Sequence, residues 1–278
     1  MGHVTPQPLG DILRLQIPGF EPPDFTDGRS FNILIAGCGT GRHALRAALH
    51  YAGAQVLAID ISRRSLGYAK RMAEKLGARN IEFLHIDLFD LPHLGRRFEV
   101  IETIGTLETL TFPKRGWQIL RDLLVPHGLL HVGSYSELAR RPVVMARRRI
   151  AELGLTASIE DIRSFRARVL AGELGEDGRR LLSVGDFYTI SGCRDFLFHV
   201  NEHRFMLADI ATLLRELRLT FLGFVQMRRP LVEAYRQRHP DDPAARHLER
   251  WAALEINEPE IFTALMNLGM YYYWVQAD

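Results

Sequence analysis

Short apolar runs alternate, through the first half of the chain, with stretches whose apolar residues recur at helical spacing. Ile33–Ala36 is the first run, and Gln55–Asp60, Ile81–His85, Phe98–Ile104 and Leu129–Tyr135 follow. Between them lie the helical patterns His43–His50, Arg63–Leu76 and Lys114–Leu124. Ser62 is placed to cap the second of these helices and Gly77 to stop it. Continuously apolar strands separated by helices predict a parallel sheet covered on both faces, an α/β architecture.

The alternation breaks near Ser136. An arginine-rich helical stretch, Glu137–Leu153, is followed by a second helix over Ser158–Leu170, capped by Ser158 or Thr156. Gly172, Gly175 and Gly178 read as a loop, and Leu207–Leu217 as another amphipathic helix. Strand character returns at Leu219–Val225 and again at Tyr271–Val275, with a helical stretch over about 230–267 between them. Prolines at 6, 8, 18, 22 and 23 make residues 1–30 an irregular lead-in with at most one short helix. The expected organisation is this lead-in, a ligand-binding core over 31–135, a helical cap over 136–217, and final strands with a second helical insertion over 218–278.

The first strand ends at Gly37, Gly39 and Gly41, and a helix begins at once. Strand, glycine turn and helix form the ligand cradle of open α/β sheets, because glycine lets a ligand lie against bare backbone. Asp60 closes the second strand and can accept hydrogen bonds from a ribose diol. Dinucleotides and S-adenosylmethionine both carry that diol. The dinucleotide fingerprint has two residues before its third glycine; here there is one, Thr40. Asp87 and Leu88, after the third strand, add a carboxylate for an adenine amino group and an apolar side chain for the ring, which a nicotinamide dinucleotide does not require.

Taken together, Ile33–Gly41, Asp60, Asp87, the Phe98–Ile104 strand and Val125–Leu130 resemble the class I S-adenosylmethionine-dependent methyltransferases. Ser191–His199 and His203–Phe205 are similar to a bacterial subgroup whose domain often follows tetratricopeptide repeats. The resemblance implies a Rossmann-like sheet of seven strands, the last antiparallel, with one helical insertion after strand five and another before the last strand. It also implies that Ala36, Gly37, Cys38, Gly39, Thr40 and Gly41 lie along the methionine part of the cofactor. Asp60 would hold the ribose, Ile61, Asp87 and Leu88 would frame the adenine, and Thr103 would stand near the methyl donor. Members of the subgroup often carry two histidines where this chain has Glu108-Thr109.

The expected function is therefore methyl transfer from S-adenosylmethionine, by in-line displacement, to a small molecule or a protein side chain. Where the acceptor must lose a proton, Glu108, His199 or His203 is the expected base. The alternatives are a nicotinamide-dependent oxidoreductase and a non-catalytic interaction module retaining the fold. His199-Val-Asn-Glu-His203 also matches an inverted zinc-protease string, but inside such a chain a substrate lid is the better use, and no metal is expected. The arginines at 140, 141, 147, 148, 149, 163, 166 and 168 are interspersed with acids, so a solvated helix face is expected rather than a nucleic-acid surface.

Composition adds little. The 278 residues are 47% apolar with a formal net charge of +2, an ordinary globular balance. Two cysteines, Cys38 and Cys193, give no disulfide framework. No apolar run reaches the ~18 residues a bilayer span needs, and no leader pattern is visible. No membrane partner and a cytoplasmic location are expected.

Overall fold

The apolar run at the glycine turn forms β1 (Phe31–Ala36), and its neighbours in the chain build a sheet around it. The computed structural model describes residues 5–199, 201–225, 227–265 and 269–278. After α1 (Leu9–Gln16) and β1 come α2 (Arg42–His50), β2 (Ala54–Asp60), α3 (Arg63–Leu76), β3 (Ile81–His85), β4 (Phe98–Ile104), α4 (Pro113–Leu123) and β5 (Leu124–Tyr135). The cap follows as α5 (Arg141–Glu152), α6 (Ile159–Leu170), α7 (Gly175–Leu181) and α8 (Ile190–Leu197). The chain then runs through α9 (Leu207–Glu216), β6 (Leu219–Val225), α10 (Arg229–Arg238), α11 (Leu248–Asn257), α12 (Pro259–Leu265) and β7 (Met270–Ala277).

The strand order is β3-β2-β1-β4-β5-β7-β6, with β7 antiparallel to both neighbours. This is the expected seven-stranded sheet, with helical insertions where the sequence placed them. One face packs α1, α2 and α3 against Ile33, Ile35, Val56 and Trp274. The other packs α4, α9, α10, α11 and α12 around Trp117, Trp251 and Tyr273. The cap has its own core, in which Phe165, Phe187, Leu181 and Cys193 are fully buried.

Three expectations are corrected. β5 begins at Leu124, not Leu129, and passes through Pro126-His-Gly128 with a register irregularity opposite Phe98. The glycine-rich loop contains α7: a Cβ on Gly178 would stand 3.0 Å from the Leu174 Cβ, so close packing holds a glycine inside a helix. The arginine zone is not uniformly solvated. Arg140 is buried and shares Glu202 with Arg147 and Arg204.

A buried charge braces the sheet beneath the glycine turn. Glu102 of β4, opposite Ile35 of β1, accepts two bonds from Arg46 of α2 at 2.9 and 3.1 Å and one from the Tyr51 hydroxyl at 3.0 Å. His131, stacked on Trp274, and His43 each place Nδ1 3.9 Å from this carboxylate, too far for a direct hydrogen bond. Burial pushes Glu102 up, but His131, Arg46 and His43 outweigh it and hold the carboxyl down at about 2. Arg46→Ala would strand a buried anion. We expect a loss of about 3 kcal/mol in urea unfolding at pH 7, shrinking in acid as Glu102 takes a proton.

Candidate active site

The sheet's strand order puts the tips of β3, β2, β1 and β4 side by side, and the predicted ligand residues lie along them. Gly37, Gly39 and Gly41 have φ of 74°, 52° and 90°, all left-handed. Their reasons for being glycine differ. A Cβ on Gly37 would stand 2.0 Å from Thr106 Oγ1, and one on Gly41 would stand 2.7 Å from Ala69 Cβ. A Cβ on Gly39 would meet nothing within 4 Å. Gly37 and Gly41 therefore weld the turn to the loop after β4 and to α3, while Gly39 faces open space.

The amides of Gly37 and Cys38 both donate to Ile59 O, at 3.0 and 2.8 Å, which ties the turn to β2. Asp60 continues the tie. Its Oδ2 accepts from the Gly39 amide at 2.7 Å and its Oδ1 from the Ser62 amide at 2.8 Å. Ser62 in turn caps α3 through the Ser65 amide. The acid is thus held by turn and helix together, with its remaining lone pairs at the strand tip. Ile61 is 70% exposed. A ring nitrogen of His85, at the end of β3, lies 2.9 Å from the Ile61 carbonyl and fixes that backbone.

Asp87 is exposed and caps the short 3₁₀ segment Leu88–Leu94, with Oδ1 accepting from the Phe89 amide at 2.9 Å. Leu88 is buried behind it. Two carboxylates, one exposed aliphatic side chain and one open glycine line successive strand tips. That set suits an adenosyl group: acceptors for a ribose diol and for an exocyclic amine, an apolar wall for the ring, and bare backbone for the rest. Of the other predicted contacts, Ala36 and Cys38 are buried, Thr40 is exposed, and Thr103 is buried with its hydroxyl lacking a partner among the described residues.

Beyond β4 the surroundings change. Gly105 has φ of 71°, and a Cβ there would stand 4.0 Å from the Tyr135 hydroxyl and 3.9 Å from Met270 Cε. Glu108, in the 3₁₀ turn Leu107–Thr109, is 1% exposed, and neither carboxyl oxygen has a partner at hydrogen-bonding distance among the described residues. The neighbouring Ser134 hydroxyl is engaged with Tyr273 at 3.1 Å. Burial pushes Glu108 up to about 8, against the pull of its own backbone and of Ser134. Ionised, it would help hold the hydroxyls of Tyr135, Tyr272 and Tyr273 in their neutral form, adding to the effect of their burial.

The cap's return segment crosses here. The His203 amide donates to Glu108 O at 2.8 Å. The His203 side chain itself is exposed. The His199 ring lies 2.7 Å from Asn201 O. α8 ends at Leu197, so the two histidines do not share the helical face a zinc pair would need. Glu202 is buried among Arg140, Arg147 and Arg204, and the Arg140 guanidinium lies 4.2 Å over the Tyr135 ring. Sequence reasoning missed this cluster, in which Arg140 and Glu202 lie 62 residues apart along the chain.

A family model described as a methyltransferase domain matches residues 28–168, just over half of the chain. The chain belongs to that family. The methyltransferase domain is 36% identical over 122 residues to an uncharacterized Synechococcus protein, covering 44% of this chain and 29% of that one. It is 32% identical over 115 residues to a demethylmenaquinone methyltransferase of Clavibacter sepedonicus, covering 41% of this chain and 43% of the other. The fold of the methyltransferase domain is similar to that of PKMT2 from Rickettsia typhi, solved in complex with AdoHcy, with a TM-score of 0.70 at 16% identity. That likeness covers 99% of this chain and 54% of the Rickettsia chain, so the chain spans under two thirds of each of these relatives.

Proposed function

We propose that this domain binds S-adenosylmethionine along the tips of β3, β2 and β1 and transfers its methyl group to an acceptor held beyond β4. The observation that carries the proposal is the placement of Asp60 and Asp87 on adjacent strand tips, flanking exposed Ile61 and the open face of Gly39. When bound, the cofactor supplies a sulfonium-activated methyl carbon. The chain's own residues then have four tasks. Asp60 accepts from the ribose hydroxyls, Asp87 from the adenine amine, and Ile61 and Leu88 cover the ring faces. The Gly37–Gly41 turn leaves room for the methionine part.

Glu108 is the group we assign to the acceptor. An unpartnered carboxyl buried at the strand tips is costly unless a bound group satisfies it. It can take the proton that an amine or hydroxyl acceptor must release, and the reaction then runs in line with the donor. Between the three acid–base candidates, Glu108 is preferred because it alone is buried at the sheet edge; His203 contributes its backbone to the same turn. The Ser191–His199 and His203–Phe205 segments support placing the chain in the bacterial subgroup in which such a domain often follows tetratricopeptide repeats.

Thermal unfolding with added ligands tests the donor. At a hundred times its dissociation constant, S-adenosylhomocysteine should stabilise the protein by about 2.7 kcal/mol, while NADH at the same concentration leaves the midpoint unmoved. The reverse pattern would favour an oxidoreductase, and no shift with either ligand would remove the donor assignment.

A further inference from the structure

Gly105 follows β4 directly, and the next residue joins it to the glycine turn. Thr106 Oγ1 donates to Ala36 O at 3.1 Å, and a Cβ on Gly37 would run into it. Gly105 itself has room above it. Among the described residues, a Cβ built there would meet only the Tyr135 hydroxyl, at 4.0 Å, and Met270 Cε, at 3.9 Å. Those are ordinary van der Waals distances. The β4 tip therefore holds a methyl-sized space with one polar atom facing it.

Tyr135 is the last residue of β5, and its backbone and ring are both held. Its carbonyl accepts from the Phe205 amide at 2.9 Å. The Arg140 guanidinium lies 4.2 Å from the centre of its ring and 5.2 Å from that of Phe196. Arg140 in turn donates to both oxygens of Glu202, through Nε at 3.2 Å and through Nη2. The phenol is thus fixed from the cap's side, yet its hydroxyl has no hydrogen-bond partner among the described residues, and the residue is only half-buried. Burial pushes the phenol up to about 12, so at neutral pH it keeps its proton and can both donate and accept.

We propose that the Tyr135 hydroxyl hydrogen-bonds the reacting nitrogen or oxygen of an acceptor that enters over Gly105, and that Arg140, anchored by Glu202, is a positioning residue that holds the phenol there. The proposal rests on the donor reading above. Under that reading the adenosyl group lies over β2 and β3, and its reacting carbon is presented toward the neighbouring tips of β1 and β4. An acceptor N–H or O–H that donates to a fixed phenol oxygen keeps its own lone pair free to face that carbon. Tyr135 sets the direction of approach and leaves the released proton to Glu108.

The experiment needs no acceptor. Sinefungin carries an amino group on the carbon that replaces the sulfonium, so its nitrogen stands where the transferred methyl would be; S-adenosylhomocysteine has nothing there. Calorimetry compares the two ligands on the unsubstituted protein, Tyr135→Phe, Arg140→Met and Arg140→Lys. Tyr135→Phe should weaken sinefungin about 10- to 100-fold, the range for a hydrogen bond to a charged group, and leave S-adenosylhomocysteine within about twofold. In Arg140→Met, Glu202 keeps Arg147 and Arg204 as partners, and a smaller loss, again confined to sinefungin, is expected. Arg140→Lys should recover part of it, since a cation can still stack on the ring. An unchanged ratio of the two affinities in Tyr135→Phe would overturn the proposal and leave the donor reading standing, whether both ligands bound as before or both lost equally. An unchanged ratio in Arg140→Met would remove the positioning role. If the unsubstituted protein bound neither ligand, the donor reading would fall and this proposal with it.

Discussion

Replacing Asp60 by alanine is expected to lower the affinity for S-adenosylhomocysteine about 100-fold. Two losses combine. The ribose hydroxyls lose a charged acceptor, worth about 1.5–3 kcal/mol for each such bond. The turn also loses its brace, because the Gly39 amide donates to Asp60 Oδ2 at 2.7 Å and would have to find water instead. Asp60→Asn separates the two contributions. Its amide oxygen can still accept from Gly39 and so keep the turn, while its NH2 replaces the acceptor of the Ser62 amide and the charge is removed, and an intermediate affinity is expected. Calorimetry reads both variants. Affinity for Asp60→Ala equal to that of the unsubstituted protein would remove Asp60 from the donor site.

Glu108→Gln is expected to have the second large effect, and it can be measured before any acceptor is known. The carboxyl is buried and pushed up to about 8 from an ordinary 4.5. Below the lower value both folded and unfolded chains hold the proton, and the group contributes no pH dependence. Between the two values the unfolded chain has released the proton and the folded one keeps it, so stability falls as pH rises through this window. Above the upper value the cost is constant. Glutamine cannot ionise, so the variant escapes the fall. Its stability relative to the unsubstituted protein should therefore improve between pH 5 and pH 8.5 by several kcal/mol, at about 1.4 kcal/mol per pH unit of separation. Urea unfolding at the two pH values checks it, and a difference that does not change with pH would show that Glu108 is charged in the folded state. Once an acceptor is in hand, the same variant should lose about 100-fold or more in kcat, the usual worth of a positioned base.

Much of the frame was legible because buried parallel strands have a plain signature. β1 and β2 read as apolar runs from Ile33 and Val56, and β4 as a largely apolar run carrying Glu99 and Glu102, since both of their faces are covered. The start of β5 was hidden: Pro126 and Gly128 are turn residues by local preference, and the strand is recognised only because it pairs with β4 at Leu124 and again from Leu129, on either side of them. α7 was hidden for a similar reason, Gly178 being set close against Leu174 and Val169. Local propensity yields to packing in both places.

In the site, residues adjacent in the sequence to a strand tip were found, and residues that meet only through the fold were not. Asp60 and Asp87 announce themselves by position. The support that His85 gives to Ile61, the bracing of Glu102 by Arg46 and Tyr51, and the sharing of Glu202 by three arginines all join distant segments. Glu102 and Glu108 are both acids near the end of β4. The fold gives Glu102 the Arg46 guanidinium and leaves Glu108 without a hydrogen-bond partner among the described residues. That difference, not the residue type, singles out Glu108.

The way the cap leaves and rejoins the sheet has a bearing on how such enzymes diversify. Ser136 and Phe205 form a bridge; the Glu137 amide donates to Phe205 O at 3.0 Å, and the Phe205 amide to Tyr135 O at 2.9 Å. Departure and return are thus stitched together at one doorstep, and the intervening helices keep a hydrophobic interior of their own. A stretch closed at its base in this manner behaves as an exchangeable cassette: it can be lengthened, trimmed or traded for another while the strands below keep their neighbours. New acceptors can then be explored at the doorstep without disturbing how the donor is gripped.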